Sequence, residues 1–451
     1  MKKHEVRFYS SSRAFNPSLS LFHNTPLGKV GYARKKNSFW MAATRLAVAT
    51  ITLIVIPMLA IAAEAAGAEK VLYEFTGGAD GDSPRHSLIF DASGALYGTT
   101  FDGGTYGAGT VYTLIPNSDG SWTENVLYSF SGGADGGYPD WGSLTFDSAG
   151  NLYGVTYGGG QYGVGTIFEL MPNSDGSWTE HALHQFTGKD GAQPRTKPIF
   201  DAKGNFYGAA TYGGAHGCGA VFKMTPGSNN TWTYSVIHQF MDKPGCIPWV
   251  GLIADTSGNF YGTTRNQIGG CSNPPLNCGE VFELTPGSDE KWIYKIIHKF
   301  SGGKGGSEPV FGLIFGEDGT LYGAARTEGA YSAGLFYKLT PSAEGKWSYQ
   351  VLHQFKKNVD GDLSEGVLAS DALGNLYGTA GYGGLYGNGT LYQMAPDSNN
   401  TWTFSVLHNF GGSGDGAAAI PGPISDAAGN LYGVTPNGGT YGAGMVYEIT
   451  P

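Results

Sequence analysis

The chain predicts an all-β fold: a seven-bladed β-propeller of four-stranded blades, closed by the N-terminal strand completing the last blade. Three observations carry that prediction. First, a bulky apolar residue followed by Tyr-Gly recurs seven times, at Leu96-Tyr97-Gly98, Leu152-Tyr153-Gly154, Phe206-Tyr207-Gly208, Phe260-Tyr261-Gly262, Leu321-Tyr322-Gly323, Leu376-Tyr377-Gly378 and Leu431-Tyr432-Gly433. Second, successive tyrosines stand 56, 54, 54, 61, 55 and 55 residues apart, which is longer than a solenoid coil and close to the length of a four-stranded blade. Third, the ends of the repeat region complement each other. The last repeat stops after its third strand, Met445 to Pro451, and an orphan segment, Val71 to Phe75, precedes the first repeat and matches the end of the outer strand at Val126 to Phe130. Pairing these ends leaves no exposed sheet edge.

The elements follow in chain order. Residues 1–40 are basic and Ser-rich and read as a disordered extension, or as a mis-assigned start upstream of Met41. Residues 41–68 read as a signal peptide, with Arg45, an uncharged apolar run from Leu46 to Ala63, and small residues around Ala65 and Ala68 that suit signal peptidase. An uncleaved anchor is the alternative, because about 18 apolar residues span a bilayer. Residues 69–451 form the propeller. Its second blade shows the pattern: strands at Ser143 to Asp147, Asn151 to Thr156, Thr166 to Leu170 and Trp178 to Phe186, separated by Ser-Ala-Gly, a glycine hairpin and Asn-Ser-Asp-Gly. The Gly after each Tyr fits inner strands too crowded for a side chain.

Charge restricts the partners. The leader holds nine of the 27 Lys and Arg but two of the 37 Asp and Glu, so the remainder has 18 positive and 35 negative residues, net −17. That disfavours nucleic acid and anionic lipid, which require a positive field. Membrane contact is expected only through an uncleaved signal segment. The four cysteines, Cys218, Cys246, Cys271 and Cys278, read as two disulfides of an exported chain, Cys271 with Cys278 and Cys218 with Cys246. A four-thiolate zinc site is the alternative, but paired short Cys spacings are lacking.

The combination Asp-x-x-Gly-Asn-Leu-Tyr-Gly, then Gly-Gly-x-Tyr-Gly-x-Gly-Thr, an aromatic strand, Pro and a Trp-Thr strand resembles the GloVer-type tandem repeat of exported bacterial proteins, the choice-of-anchor repeat proteins. The resemblance covers residues 71 to 451, seven times over. It implies an exported repeat protein, often carried to the surface by a C-terminal anchor, and supplies no catalytic residues to carry over; this sequence departs from that pattern by ending inside a strand, so a secreted or periplasmic location is expected.

Function is therefore sought where the blades differ. Residues next to each inner strand vary from blade to blade: Arg85-His86, Asp140-Trp141, Arg195-Thr196-Lys197, Trp249-Val250, Val310-Phe311, Glu365 and Gly422. Loop entrances add Phe101-Asp102, Arg265-Asn266 and Arg326-Thr327. The candidate ligand-binding set is Arg85, Asp140, Trp141, Arg195, Trp249, Arg265, Asn266, Arg326 and Glu365, with indoles for stacking and Arg or Asp for hydrogen bonding. The hairpin series Tyr106, Tyr162, His216, Tyr331, Tyr386 and Tyr441 is expected to pack blade against blade, with an aromatic ring for glycans as the sharper reading. The histidines His184, His238, His298, His353 and His408 share one outer-strand position and are expected to serve structural hydrogen bonds. Aspartates at Asp91, Asp147, Asp201, Asp255, Asp371 and Asp426 read as turn formers. A second series, Asp80, Asp82, Asp135, Asp190, Asp360, Asp362 and Asp415, offers hard oxygen ligands to calcium but completes no Asp-x-Asp-x-Asp-Gly loop. No cofactor is expected.

No His-Glu-x-x-His, Gly-x-Ser-x-Gly or phosphate loop is present. The expected function is a monomeric, non-enzymatic recognition or scaffold propeller for an extracellular polysaccharide, peptide or surface protein. The alternative is a carbohydrate-active or lactone-type hydrolase or lyase using acids at the channel mouth, such as Asp140 and Glu365 with Arg195.

Overall fold

Each blade is organised around its Tyr-Gly strand. In blade three, Phe206–Tyr212 pairs on one side with Ala220–Pro226, which in turn pairs with the outer strand Trp232–Gln239. On its other side it pairs with two short pieces, Ala192–Pro194 and Ile199–Phe200. The antiparallel order of outer, third, Tyr-Gly and short inner strand repeats in all seven blades of the computed structural model, the first short piece being a full strand of the sheet in blades one, three, four and six; the structure describes residues 68–451 apart from 242–244, 250, 267–277, 289–290, 311, 365, 367, 400 and 413. The predicted leader and Cys271 and Glu365 lie outside the described residues.

Blade seven confirms the closure read from the chain ends. The N-terminal strand Ala68–Glu74 pairs antiparallel with Met445–Thr450, from Ala68 opposite Thr450 to Glu74 opposite Met445. Its order is Ala68–Glu74, Met445–Thr450, Leu431–Thr435, Ile424–Ser425. The clasp is fixed by side chains as well: Glu74 accepts hydrogen bonds from the Thr440 N–H at 2.8 Å and from its hydroxyl.

The Tyr-Gly motif acquires a physical reason. A Cβ on Gly98 would stand 2.5 Å from the Tyr112 hydroxyl, one on Gly154 2.4 Å from Phe168, and one on Gly433 2.3 Å from the Tyr447 hydroxyl. Each third strand lays a buried aromatic across this glycine, so any side chain collides. The preceding Tyr turns its hydroxyl to the Asp that opens the turn before its own strand, as Tyr97 to Asp91 at 3.3 Å and Tyr377 to Asp371 at 2.9 Å. Those Asp carboxylates also accept backbone N–H groups, for example from Ser93 and Ala95. The turn reading of this series therefore holds.

Every outer strand carries a β-bulge, as between Val221 and Phe222 opposite His238 and Val236. The bulge turns the shared outer-strand residue toward the next blade. His184 stacks on Tyr234 at 3.9 Å, His298 on Tyr349 at 4.1 Å and His353 on Phe404 at 3.9 Å. These imidazoles are spread around the ring and packed between blades, as expected of structural residues. His408 faces Glu69 of the clasp strand and Asp415, and these three are the one group among the described residues whose ligand-type atoms gather within 4.8 Å.

Candidate functional site

The residues that differ between blades collect at the interruption of each innermost strand. In blade three, Arg195 to Pro198 separate Ala192–Pro194 from Ile199–Phe200. Sequence reading placed these residues at the end of the loop before the strand; they lie inside the strand, between its two halves. The cause is local. Ser83, Tyr138, Gln193, Ile247, Glu308 and Ala418 take φ between 52° and 66°, and their N–H groups bond to the previous blade, as Tyr138 to the Ala108 carbonyl and Gln193 to that of Val164, both at 2.7 Å. The first half of the strand is thus tied sideways, and in blades one to five a proline follows it. The ladder resumes only after the variable residues.

Blade two departs from the others by length. One more residue lies between Pro139 and Thr145 than between Pro194 and Ile199 of blade three. The extra length lies in a bend in which Trp141 adopts φ 61°, a conformation that costs a bulky residue about 1–3 kcal/mol. It brings the Trp141 ring to 6.4 Å from that of Trp249, at 57°. Trp141 belongs to blade two and Trp249 to blade four, so the two indoles meet by reaching across the inner surface of the ring.

Around this pair runs a chain of guanidinium groups. Arg195 Nη2 lies 3.0 Å from Asp140 Oδ2, and Arg85 Nη1 lies 4.0 Å from Asp140 Oδ1. The Arg195 guanidinium stands 4.7 Å from the Tyr157 ring and 4.4 Å from that of Trp249, and Arg265 stacks on Trp249 at 4.9 Å. Arg265 Nη2 is 3.2 Å and Arg326 Nη1 3.7 Å from Glu308 Oε2. Arg85 lies 4.0 Å from the Phe101 ring centroid. Six of the nine predicted ligand-binding residues belong to this one network, and Trp141 packs against it. Asn266 pairs with Cys246 at the end of the adjoining strand.

The electrostatics follow from burial. Asp140 is 3% exposed, and desolvation pushes its carboxyl up to about 6 despite the neighbouring Arg195 and Arg85. His86 is buried, and desolvation takes its imidazole down to about 3. It is therefore neutral at pH 7, donating from Nε2 to the Pro139 carbonyl at 3.1 Å. Sequence reasoning missed Glu308 and Tyr157. Glu308 sits at a turn position otherwise filled by Ser, Tyr, Gln, Ile, Leu or Ala, and that charge was the available signal.

The hairpin aromatics overturn an expectation. Tyr106, Tyr162, Tyr331, Tyr386 and Tyr441 are 55–66% exposed, and His216 is exposed too. They do not pack blade on blade. The hairpin backbone itself fills that role: Gly104 N–H bonds to Gly78 O and Gly160 N–H to Gly133 O, which places the hairpins beside the loops that lead into the interrupted strands and turns the rings outward.

The remaining predicted sites are simpler. Cys218 and Cys246 form a disulfide that joins the blade-three hairpin to the innermost strand of blade four. Cys278 is buried; its predicted partner lies outside the described residues. The second aspartate series closes its own loops. Asp80 accepts from Thr76 N–H at 2.8 Å and Tyr73 Oη at 3.1 Å, Asp135 from Ser131 and Tyr128, and Asp190 pairs with His184 at 3.0 Å.

Fold and repeat together define a closed seven-bladed propeller made of one tandemly repeated unit. A family model for the Gloeobacter/Verrucomicrobia repeat matches residues 61–274 and again 268–451, and the chain belongs to that family. A comparison with curated proteins finds no match. Among solved structures, a Dyadobacter fermentans protein of unknown function is similar at 12% identity, covering 84% of this chain and 96% of its own, with a TM-score of 0.44. A proposed gluconolactonase is similar at 14% identity, covering 85% and 91%, with a TM-score of 0.36. A proposed 6-phosphogluconolactonase from Bacteroides uniformis shares 11% identity over 71% of this chain and 83% of its own, with a TM-score of 0.45. Among the described residues no helix is long and apolar enough to cross a membrane.

Proposed function

We propose that this protein is an exported recognition propeller that binds an extracellular polysaccharide through the face carrying the glycine hairpins, without catalysis of its own. The observation that supports this reading is the tyrosine series. Five blades repeat a tyrosine at the hairpin tip, yet each is more than half exposed, so packing does not account for the repetition. An exposed ring with a hydroxyl offers an apolar face to sugar C–H groups and a polar edge to their hydroxyls. Several such rings on one rigid scaffold raise affinity for a repeating polymer through effective concentration. The disulfide agrees with an oxidising compartment.

The competing hydrolase reading rests on Asp140 and Glu365 with Arg195, of which Glu365 lies outside the described residues. Both oxygens of Asp140 face guanidinium groups, an arrangement that suits a fixed counter-charge. The test is affinity electrophoresis of the protein through a panel of polysaccharides, with Tyr106, Tyr162, Tyr331, Tyr386 and Tyr441 all replaced by Ser. Retardation of the parent and its loss in the variant, at an unchanged melting temperature, is the expected result. A parent that migrates freely in every gel, or a variant retarded as strongly as the parent, rejects the proposal.

A further inference from the structure

We infer that the axial arginine cluster is a subsite for a carboxylate-bearing sugar, a uronic acid unit of the bound polysaccharide. The inference rests on the polysaccharide reading of the hairpin face and adds what the ligand must carry.

Charge is the first argument. Among the described residues the network contains four guanidinium groups, Arg85, Arg195, Arg265 and Arg326, and two ion-paired carboxylates, Asp140 and Glu308, with Asp102 facing Arg85 as a third carboxylate. It is an excess of positive charge in a chain whose predicted mature part is strongly acidic. The excess is also oriented. Asp140 and Arg195 are covered, with side chains 4% and 12% exposed, and Glu308 is 18% exposed, whereas Arg85, Arg265 and Arg326 are 34%, 27% and 25% exposed. Solvent therefore meets cations with their counter-ions behind them.

Hydrogen bonding is the second argument. Arg195 Nε, Arg265 Nε and Trp249 Nε1 are buried without a protein acceptor. A buried donor left unpaired costs about 1–3 kcal/mol, so a network serving structure alone would not leave three around one indole. Asp140 Oδ1 is likewise buried without a hydrogen bond, so the unpaired donors outnumber the one unpaired acceptor, and each guanidinium has five N–H groups in a planar fork that matches a carboxylate.

Geometry is the third. Stacking of Arg195 and Arg265 on Trp249 fixes both guanidinium planes. Trp141, supplied by the added residue and held at positive φ, sets a second indole beside it. With Trp249 taken up by the two guanidinium groups, the partly exposed Trp141 ring offers an apolar face next to a fixed cation pair, which suits a pyranose ring bearing a carboxylate, whereas a flexible acidic peptide would use the charge and leave Trp141 idle.

The experiment is isothermal titration of the purified protein with an oligogalacturonate, a neutral galactose oligomer of equal length, and poly-glutamate. Parallel titrations use the Arg265→Gln/Arg326→Gln double variant and Trp249→Phe. Circular dichroism and a melting curve confirm that the variants are folded. Oligogalacturonate should bind at least tenfold more tightly than the neutral oligomer, weaken as salt rises, and lose at least tenfold in the double variant; Trp249→Phe should weaken it as well. Neutral oligomer bound as tightly as the uronate, with no response to the arginine changes, overturns this inference and leaves the polysaccharide reading standing. Poly-glutamate bound as tightly as the uronate overturns the sugar assignment. No binding of any oligomer overturns the subsite, and the polysaccharide panel then decides the broader reading.

Discussion

Phe75 is the residue on which ring closure can be measured. It follows the clasp strand, is 0% exposed, and sits in a cluster with Leu72, Tyr112, Tyr432 and Val446. Its ring centroid is 5.0 Å from Tyr112 of blade one, and its N–H donates to the Gly444 carbonyl of blade seven at 3.0 Å. Phe75→Ala should therefore cost about 3–5 kcal/mol, the transfer term plus the cavity. With an unfolding entropy near 2.1 cal/mol/K per residue, a ring of about 380 residues has about 0.8 kcal/mol/K, so a loss of 4 kcal/mol lowers the melting temperature by about 5 °C. Phe240 holds the equivalent place between blades three and four and is 1% exposed, so Phe240→Ala serves as the internal reference. Thermal unfolding followed by near-ultraviolet circular dichroism reads both. If Phe240→Ala shows the full loss while Phe75→Ala melts within 1 °C of the parent, the N-terminal strand does not close the ring.

Three further predictions concern the bonds between blades. Cys218–Cys246 closes a separation of 28 residues, so the Cys218→Ala/Cys246→Ala double variant should lose about 3–4 kcal/mol on the chain-entropy account; denaturant unfolding with no change in midpoint would contradict it. Glu124 is pushed up to about 7, chiefly by desolvation and then by Asp80. Its folded-state value lies above the unfolded one, so its contribution is present at acid pH and is lost as pH rises from about 4.5 to 7. Glu124→Gln should raise the melting temperature more at pH 8 than at pH 5. His298 has the opposite sign, because burial takes it down to about 4: stability rises with pH from about 4 to 6.5, and His298→Phe should flatten that rise. Equal shifts at both pH values for either variant would refute its assignment.

Much of this molecule was legible because a repeat writes the same physical demand seven times. Gly98, Gly154 and their counterparts announced crowded inner strands, and the structure supplies the aromatic that crowds them. The orphan Val71 to Phe75 announced the closure, since an unpaired third strand at one end requires a partner at the other. The hairpin tyrosines misled for the same reason: repetition suggested packing, but period alone does not say which way a ring points on a tight turn.

The sequence by itself determined the blade count, the strand order and the residues free to differ, because strand length, turn chemistry and glycine placement are local properties. Only the tertiary structure decided that Arg85, Arg195, Arg265 and Arg326 form one cluster with Trp249, and that Trp141 reaches Trp249 across blade three. The cluster is joined by contacts between blades: Asp140 is 55 positions from both Arg85 and Arg195, and Trp249 is 54 from Arg195 and 108 from Trp141. They exist because the closed ring brings every interrupted inner strand to a single axis.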